Sequence, residues 1–321
     1  MTNNAPIKIY ADTNSNVYLG GVAGYVYPSA TIRNLLNDVN GDITLDVKKT
    51  TEYKDTFKIL VAGVGGQLRC HSIPLENRGD IYIGGTYQCS VGVGGIVTNP
   101  NNMNRTDLTN SGNFTIDAVI DGNCRVGGIE MGGGNSGIKK HWVNSGNITF
   151  TKNAWVKGYV EIGGLIGKTD SASLTIVEGS ETTPSANSGT ITFSGKCGDG
   201  GAEDNLYIGG MVGNMQTFKQ LTGGFTNSGS VIFDGEVNGG KAYIGGLIGH
   251  CKADPLAEGL EWTGNLVFKG EKLTATSGYV GGIFGTSVSA IPNAIVYSNV
   301  EGIGCTGAGD SSGKWRDTGC A

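Results

Sequence analysis

One six-residue pattern, aliphatic-Gly-Gly-aliphatic-x-Gly, recurs along the chain and constrains its fold more than any other feature. Clear copies begin at Leu19, Ile162, Ile208, Ile244 and Val280, and weaker copies with one glycine replaced or lost begin at Val61, Val93 and Val126. Successive copies follow one another after 32 to 46 residues, and 36 is the commonest interval. Eight copies at such spacing indicate a repeat protein.

A second pattern, Asn-Ser-Gly-x-aliphatic-x-Phe, alternates with the first in strict order. Its best copies span 144–150, 187–193 and 227–233, and degenerate copies begin at Asn40, Asn77, Asn110 and Trp262. The aliphatic and Phe positions are two residues apart, so both face one side of a strand. The Asn-Ser-Gly predicts a turn, because Asn and Gly tolerate positive φ.

The first pattern also predicts a strand, with an irregularity at its centre. Residues on both sides of Gly-Gly are aliphatic or Met in every copy. Strict alternation would turn one of the two outward. We therefore expect the glycine pair to form a bulge or corner that lets both point to the core.

A repeat of ~36 residues with two or three short strands cannot bury its own apolar face, whereas stacked copies can. We therefore predict an all-β fold: a parallel β-solenoid of about eight rungs that forms a single domain over 1–321. One sheet would hold the Gly-Gly strands and another the Asn-Ser-Gly strands, with Ile191, Val231 and Leu266 in register. Loops are expected at 178–186 and 198–205. An eight-bladed propeller is the structural alternative, but a blade needs four strands.

The ends of a solenoid expose core and strand edges unless they are capped. Ile7, Lys8 and Ile9 are typical of a strand in an incomplete first repeat, and no capping helix is evident before them. We expect this end either to dock on another chain, which includes self-association through open solenoid ends, or to be a truncation.

Composition excludes several classes of function. Charged residues make up 16% of the chain and the net charge is −5, with no basic stripe that could neutralise phosphates, so we expect no nucleic-acid binding. No apolar run reaches the ~18 residues of a membrane span. The first residues lack the basic and apolar regions of a signal peptide, so the chain is either made without export or a mature or truncated piece.

The Gly-Leu-Ile-Gly at 164–167 and 246–249, with Gly-Met-Val-Gly at 210–213 and Gly-Ile-Phe-Gly at 282–285, resembles the GLUG repeat. That repeat combines Gly-Leu-x-Gly with an Asn-Ser or Asn-x-Gly turn, and it occurs in large bacterial surface proteins, including adhesin-like β-helices. The long stretch between the two elements departs from the family pattern. The resemblance implies a scaffold or adhesive role at the cell surface and no catalytic residues.

Tyrosines form the most interesting candidate site. They stand two positions before Gly-Gly at Tyr18, Tyr207, Tyr243 and Tyr279, the last three in consecutive repeats. This position alternates with the core-facing aliphatic residue and should point outward. Stacked tyrosines could bind sugar rings or a partner protein; alternatively they only stack on one another for stability.

Other candidate groups have simpler explanations. Cys70-His71 and His250-Cys251 lie in different rungs and lack a third partner for catalysis or a metal, and His141 is remote from both. Asp199, Glu203 and Asp204 could bind Ca²⁺, but the regular spacing of a calcium loop is absent.

Two further sequence features could be read as functional. The tripeptide at 78–80, Arg-Gly-Asp, falls in the turn of the repeat, which explains its glycine. The seven cysteines form no C-x-x-C pair and are predicted to be packed thiols; a disulfide between Cys305 and Cys320 is the alternative.

We therefore predict a non-enzymatic structural or adhesive module with no catalytic residues, metal or cofactor. It would be extracellular or at the cell surface, where it binds a protein or a glycan through Tyr207, Tyr243 and Tyr279. The alternatives are a polysaccharide-acting β-helix enzyme, which would need clustered carboxylates, and a viral fibre or spike, which would need a means of trimerisation.

Overall fold

The chain folds into stacked parallel strands, and every strand pairing among the described residues is parallel. The computed structural model describes residues 1–10, 16–26, 34–47, 53–68, 74–98, 107–132, 141–169, 175–176, 185–216, 220–221, 225–252, 260–268, 274–282, 284–287, 295–296, 299–301 and 316–317. Within these ranges there is no helix, and hence none that could cross a membrane. The predicted β-solenoid is confirmed, and the propeller alternative is wrong because neighbouring strands come from successive turns.

Each turn of the solenoid, meaning one complete coil of the chain around the axis, begins with a strand of two or three residues. These strands form a nine-stranded sheet, here called the asparagine sheet, over Thr2–Asn3, Leu35–Asn37, Leu75–Asn77, Leu108–Asn110, Trp142–Asn144, Ser185–Asn187, Phe225–Asn227, Leu260–Trp262 and Ile295–Val296. It has one strand more than the eight rungs predicted, because Ile295–Val296 follows the last Gly-Gly pair.

A twenty-stranded sheet follows, and it has two parts. The first part, the phenylalanine wall, comprises Ile7–Ile9, Ile43–Val47, Ile81–Tyr87, Phe114–Ile120, Ile148–Phe150, Ile191–Phe193, Val231–Phe233, Asn265–Phe268 and Asn299–Glu301, with the short strands Trp155–Val156 and Lys196–Cys197 beside it. The second part, the tyrosine wall, comprises Val17–Gly20, Tyr53–Ala62, Cys89–Gly94, Cys124–Gly127, Val160–Gly163, Leu206–Gly209, Glu236–Gly245, Thr274–Gly281 and Arg316–Asp317. Strand Glu236–Gly245 joins the parts, since it pairs with both Lys196–Cys197 and Leu206–Gly209.

A last set of strands follows the Gly-Gly pair in each turn. These post-glycine strands are Ala23–Val26, Gly65–Leu68, Glu130–Gly132, Ile166–Thr169, Val212–Met215, Ile248–Cys251 and Phe284–Ser287, and single bridges through Val97 link Gly65 to Glu130. Thr175–Ile176 pairs separately with Gln220–Leu221. The prediction of only two sheets was therefore incomplete, because strands of three or four residues are too short to show a period.

The core consists of aligned apolar side chains. Ile191, Val231 and Leu266 are in parallel register and at most 1% exposed, as predicted. In the same wall Phe193 stacks on Phe233 with ring centroids 5.9 Å apart. The Gly-Gly pair is a corner that lets residues on both sides of it turn inward, as Ile162 and Leu165 illustrate, both fully buried. That prediction is confirmed.

In five copies the asparagine that opens the second pattern belongs to a buried ladder, which the turn prediction did not foresee. The copy predicted to begin at Asn40 is an exception, because the ladder member in that turn is Asn37 and Asn40 bonds Asn4 at the surface. In six consecutive pairs Nδ2 of one asparagine donates to Oδ1 of the next at 2.7 to 2.8 Å. The members of this asparagine ladder are Asn3, Asn37, Asn77, Asn110, Asn144, Asn187 and Asn227. From Asn37 to Asn187, each Nδ2 also donates to the carbonyl oxygen of a glycine a few residues later in the same turn of the solenoid. The amides are thus satisfied inside the core.

The two sequence patterns meet at this ladder. A Cβ on Gly164, the second glycine of its pair, would lie 2.5 Å from Cγ of Asn187 and 2.0 Å from the carbonyl oxygen of Gly210. Only glycine therefore leaves room for the buried amide at this corner. At the end of the ladder Trp262 replaces asparagine, and its ring lies against Gly246.

The loop predicted at 198–205 is confirmed, since no strand lies between Cys197 and Leu206. Residues 178–184 of the other predicted loop lie outside the described residues. Its last two positions belong to Ser185–Asn187, the strand that enters the asparagine ladder.

Candidate binding surface

Three tyrosines form a row in consecutive turns of the tyrosine wall. Tyr207 pairs with Tyr243, and Tyr243 with Tyr279. Their ring centroids are 5.0 and 5.1 Å apart, and neighbouring ring planes differ by 3° and 6°. All three side chains are partly exposed, whereas Ile208 and Ile244, which follow the first two, are buried. The predicted alternation and the stacking of this tyrosine row are confirmed.

Tyr18, the fourth tyrosine at this sequence position, lies apart from the row. Four other residues separate it from Tyr207 on the same ladder: Leu60, Gly92, Arg125 and Glu161. Its ring packs edge-on against Tyr25, with centroids 5.4 Å apart. The row therefore consists of three rings.

A histidine that sequence reasoning did not assign to the site packs against the row. His250 comes from the post-glycine strand Ile248–Cys251, and its ring centroid is 4.7 Å from that of Tyr243 and 5.7 Å from that of Tyr207. Its Nδ1 shares a hydrogen bond of 2.5 Å with Oγ1 of Thr286 in the next turn. The only feature of the sequence that could have pointed to His250 as a member of this surface is its position just after a Gly-Gly corner.

Burial dominates the electrostatics of the row. It raises the pKa of Tyr207, and it raises the pKa of Tyr243 to about 12, so the hydroxyls of both stay protonated at neutral pH. Burial also lowers the pKa of His250 to about 4, an effect to which the positive charges of Lys252 and Lys241 add. At neutral pH the surface therefore presents neutral hydroxyls and a neutral imidazole.

A buried ion pair closes the row at the end nearer the N-terminus. Nε of Arg125 lies 2.5 Å from Oε2 of Glu161, with side-chain exposures of 6% and 2%. Asn214 donates to the other carboxylate oxygen at 2.7 Å, and the guanidinium lies over the Phe57 ring at 4.8 Å. Because this carboxylate and guanidinium are paired with each other inside the wall, neither presents a charge to a ligand at the surface.

The arrangement determines what the row can contact. Within the stack each ring covers a face of its neighbour, so the exposed parts of the rings are mainly their edges. Aromatic edges with neutral hydroxyls suit apolar contact combined with hydrogen bonding, the usual character of tyrosine at interfaces. The spacing of about 5 Å repeats across the three turns of the row, which suits an extended partner that lies along the solenoid axis.

No family model, curated protein or solved structure matches this chain. The resemblance to the GLUG repeat therefore stays a prediction. The assignment of a binding role to the tyrosine row depends on the geometry alone.

An acidic cleft lies beside the loop at 198–205. Its volume is about 370 Å³, and its charged lining comprises Asp121, Lys157, Asp199, Glu203 and Asp204. Two of these carboxylates already have partners: Asp121 lies 2.9 Å from Nζ of Lys157, and Oδ2 of Asp204 accepts hydrogen bonds from the amides of Asp199 and Gly201. No group of three or more His, Cys, Asp or Glu side chains in the described ranges is placed to hold a metal ion.

The Arg-Gly-Asp tripeptide is held on the surface by neighbouring turns. The Arg78 guanidinium contacts Glu76 at 2.6 Å and Asp38 at 3.4 Å. The carboxylate of Asp80 accepts hydrogen bonds from the amide and side chain of Asn113. Gly79 lies where a Cβ would be 2.5 Å from the carbonyl oxygen of Gly41. These contacts account for the tripeptide as part of the stacked turn.

The cysteines that the structure describes are packed thiols, as predicted: the side chains of Cys89, Cys124, Cys197 and Cys251 are buried. Sγ of Cys251 lies 3.7 Å from Sδ of Met215. Burial raises the pKa of Cys124 and Cys197, which opposes thiolate formation. The remaining predicted groups, Cys70-His71 and the Cys305–Cys320 disulfide, lie outside the described residues.

Proposed function

We propose that this chain is a non-enzymatic structural or adhesive module, extracellular or at a cell surface, that presents its tyrosine row to a protein or a glycan. The observation that carries the proposal is the row itself: three partly exposed rings at 5.0 and 5.1 Å spacing on a continuous sheet. Aromatic side chains commonly dominate interface energies. Because the sheet fixes the rings before binding, little entropy is lost when a partner docks.

Two triple variants test the proposal. Glycan and surface-protein arrays first identify a ligand for the unmodified chain. Tyr207, Tyr243 and Tyr279 are then changed together to Ser, which removes rings and hydroxyls, or to Phe, which keeps the stack and removes only the hydroxyls. We expect the Ser variant to lose binding by at least ~100-fold, since several interface aromatics are removed at once. The Phe variant should show an intermediate loss if the exposed edges form hydrogen bonds.

The matched control is another outward row in three consecutive turns. Thr115, Thr149 and Thr192 are in register on the phenylalanine wall and are partly exposed. Their joint change to Ser should leave binding unchanged. If both tyrosine variants still bind the ligand and the Ser variant has a clearly lower melting temperature than the unmodified chain, the row is a structural ladder and the proposal is wrong.

A polysaccharide-acting enzyme is the second candidate, and the acidic cleft is the observation that favours it. Asp199 and Glu203 line the cleft together with Tyr159. Glycoside hydrolysis uses two carboxylates on opposite sides of the scissile bond. Turnover of a polysaccharide that disappears in both Asp199→Asn and Glu203→Gln would establish this function in place of the adhesive one.

A further inference from the structure

The acidic cleft exists because one corner of the solenoid changes length from turn to turn. Three residues, 121–123, connect the phenylalanine wall to the tyrosine wall in one turn, and three, 157–159, do so in the next, whereas eight residues, 198–205, make the same connection one turn later. The strands that precede these connections are in register, so the connections follow one another along the solenoid axis. The cleft lies between the long connection and the two short ones.

The long connection is fixed by hydrogen bonds before any ligand arrives. Oδ2 of Asp204 accepts hydrogen bonds from the amides of Asp199 and Gly201 at 3.0 and 2.7 Å. The amide of Gly200, whose φ of +100° favours glycine, donates to the carbonyl of Asn238 in the next turn at 3.2 Å. Because this wall of the cleft is already ordered, a ligand loses little binding energy to loop ordering.

One largely buried amide of the cleft has no hydrogen-bond acceptor among the described residues. Asn123 lines the cleft and is 9% exposed, and its Oδ1 accepts a hydrogen bond from the amide of Tyr159 at 3.0 Å. That bond fixes the orientation of the side-chain amide. Its Nδ2 donates to no described residue. Because a buried donor costs free energy unless it is paired, a ligand oxygen in the cleft would gain by accepting this hydrogen bond.

Two carboxylates of the cleft are likewise without a partner in the described part of the chain. Asp121 pairs with Lys157, and Asp204 accepts the backbone hydrogen bonds given above. The side chains of Asp199 and Glu203, by contrast, form neither a hydrogen bond nor an ion pair with a described residue. With four carboxylates against one ammonium, the charged lining is net negative. These surroundings favour a ligand group that is positively charged and donates several hydrogen bonds.

We propose that the acidic cleft binds an amino sugar whose free ammonium group contacts Asp199 and Glu203 and whose oxygens accept hydrogen bonds from Nδ2 of Asn123 and from Lys157. A simple amine would use the carboxylates alone, and a neutral sugar would leave their charge unpaired, whereas an amino sugar uses both sets of groups. The volume of about 370 Å³ lies at the lower end of the ~300 to 1,000 Å³ typical of small-molecule sites, which suits a ligand of one or two sugar rings.

This site is independent of both functions proposed above, because none of the three tyrosines of the row lines the cleft and binding requires no hydrolysis. Isothermal titration calorimetry of the full chain at pH 6 and constant chloride concentration tests the ligand class with four probes: glucosamine, N-acetylglucosamine, glucose and cyclohexylamine. None of them has a glycosidic bond, so hydrolysis cannot contribute. Glucosamine should bind at least about 10-fold more tightly than the others, each of which lacks either the ammonium or the hydroxyls. Equal binding of the three sugars, equal binding of cyclohexylamine, or no binding of glucosamine would each overturn the proposal.

Substitutions in the cleft then locate the binding. Asp199→Asn and Glu203→Gln keep the shape and remove the charge, and each should weaken glucosamine binding about 2- to 5-fold, an effect limited by the exposure of both carboxylates. Asn123→Ala removes the donor and should weaken binding about 2- to 10-fold. Unchanged binding in all three variants would place the sugar elsewhere and contradict the proposal.

Asn205→Ala is the matched control for the loss of the Asn123 amide. Asn205 is also 9% exposed, and its Oδ1 accepts a hydrogen bond from the amide of Lys241 at 2.7 Å, but it does not line the cleft. Melting curves should therefore show similar losses in the two variants, while only Asn123→Ala weakens glucosamine binding. Equal weakening in both would mean that the fold rather than the donor is responsible. The Ser variant of the tyrosine row should leave glucosamine binding intact, which separates this site from the row.

Discussion

The asparagine ladder and the tyrosine row repeat along the same solenoid, but they lie in different surroundings. Six of the seven asparagines, all except Asn3, are almost fully buried, and hydrogen bonds join the ladder, whereas the tyrosines are partly exposed and joined by ring stacking. The asparagine ladder extends over seven turns, while the tyrosine row occupies three. The difference indicates that buried rows specify the fold, since an unsatisfied amide there is costly at any turn. An exposed row is free to vary from turn to turn.

The strongest test of this comparison removes a buried ring. Phe233→Ala should lower the free energy of unfolding by about 3 to 5 kcal/mol, because the ring is fully buried against Phe193 and its loss leaves a cavity. Chemical denaturation followed by circular dichroism measures the change. The neighbouring outward residue supplies the control: Ile232→Ala should cost less than ~1 kcal/mol. Equal costs at the two positions would contradict the assignment of faces.

The next test breaks the asparagine ladder at its centre. Asn144→Ala removes the acceptor of Asn110, the donor to Asn187 and the hydrogen bond to the carbonyl of Gly146. Each buried polar group left unsatisfied costs about 1 to 3 kcal/mol, so we expect a total loss of about 2 to 4 kcal/mol. Asn147→Ala, three residues later and exposed, is the matched control, since water can replace its bond to the amide of Thr190. A ladder of little energetic value would give the same small loss at both positions.

Sequence alone predicted much of the fold. The spacing of Gly-Gly and of the aliphatic-x-Phe positions was enough for the parallel solenoid, the register of Ile191, Val231 and Leu266, and the corner at the glycine pair. The asparagine ladder was missed because Asn-Ser-Gly is sufficiently explained as a turn. Only the coordinates reveal that Asn144 reaches inward and bonds along the stack to Asn187 as well as to the carbonyl of Gly146 in its own turn.

The candidate site was predicted less completely. Alternation within the strand placed Tyr207, Tyr243 and Tyr279 on one face, and their spacing follows from the strand separation. The neighbours of the row were not predictable, because His250 comes from a strand whose packing against the tyrosine wall is not encoded in any period. The pair Arg125 and Glu161 occupies the same ladder as the tyrosines, yet it is buried because Asn214 and Phe57 cover it.

The smallest expected effect concerns the pH dependence of the free energy of unfolding. The surroundings of the tyrosine row should contribute to this dependence, whereas the asparagine ladder should not. The pKa of His250 falls from 6.5 to about 4 in the folded protein, because of burial and then of the nearby Lys252 and Lys241. The unfolded chain therefore binds the proton more readily, and the stabilisation that the neutral ring gives is complete above pH 6.5 and is lost as pH falls toward 4.

His250→Gln should flatten this part of the stability profile, with an effect smaller than that of Asn144→Ala because the ring is partly exposed to solvent. Urea denaturation at pH 4.5, 5.5 and 7.5 compares the two chains, and His141→Gln at a half-exposed position serves as control. A pH dependence that is the same with and without His250 would mean that the imidazole is not held neutral against the tyrosines.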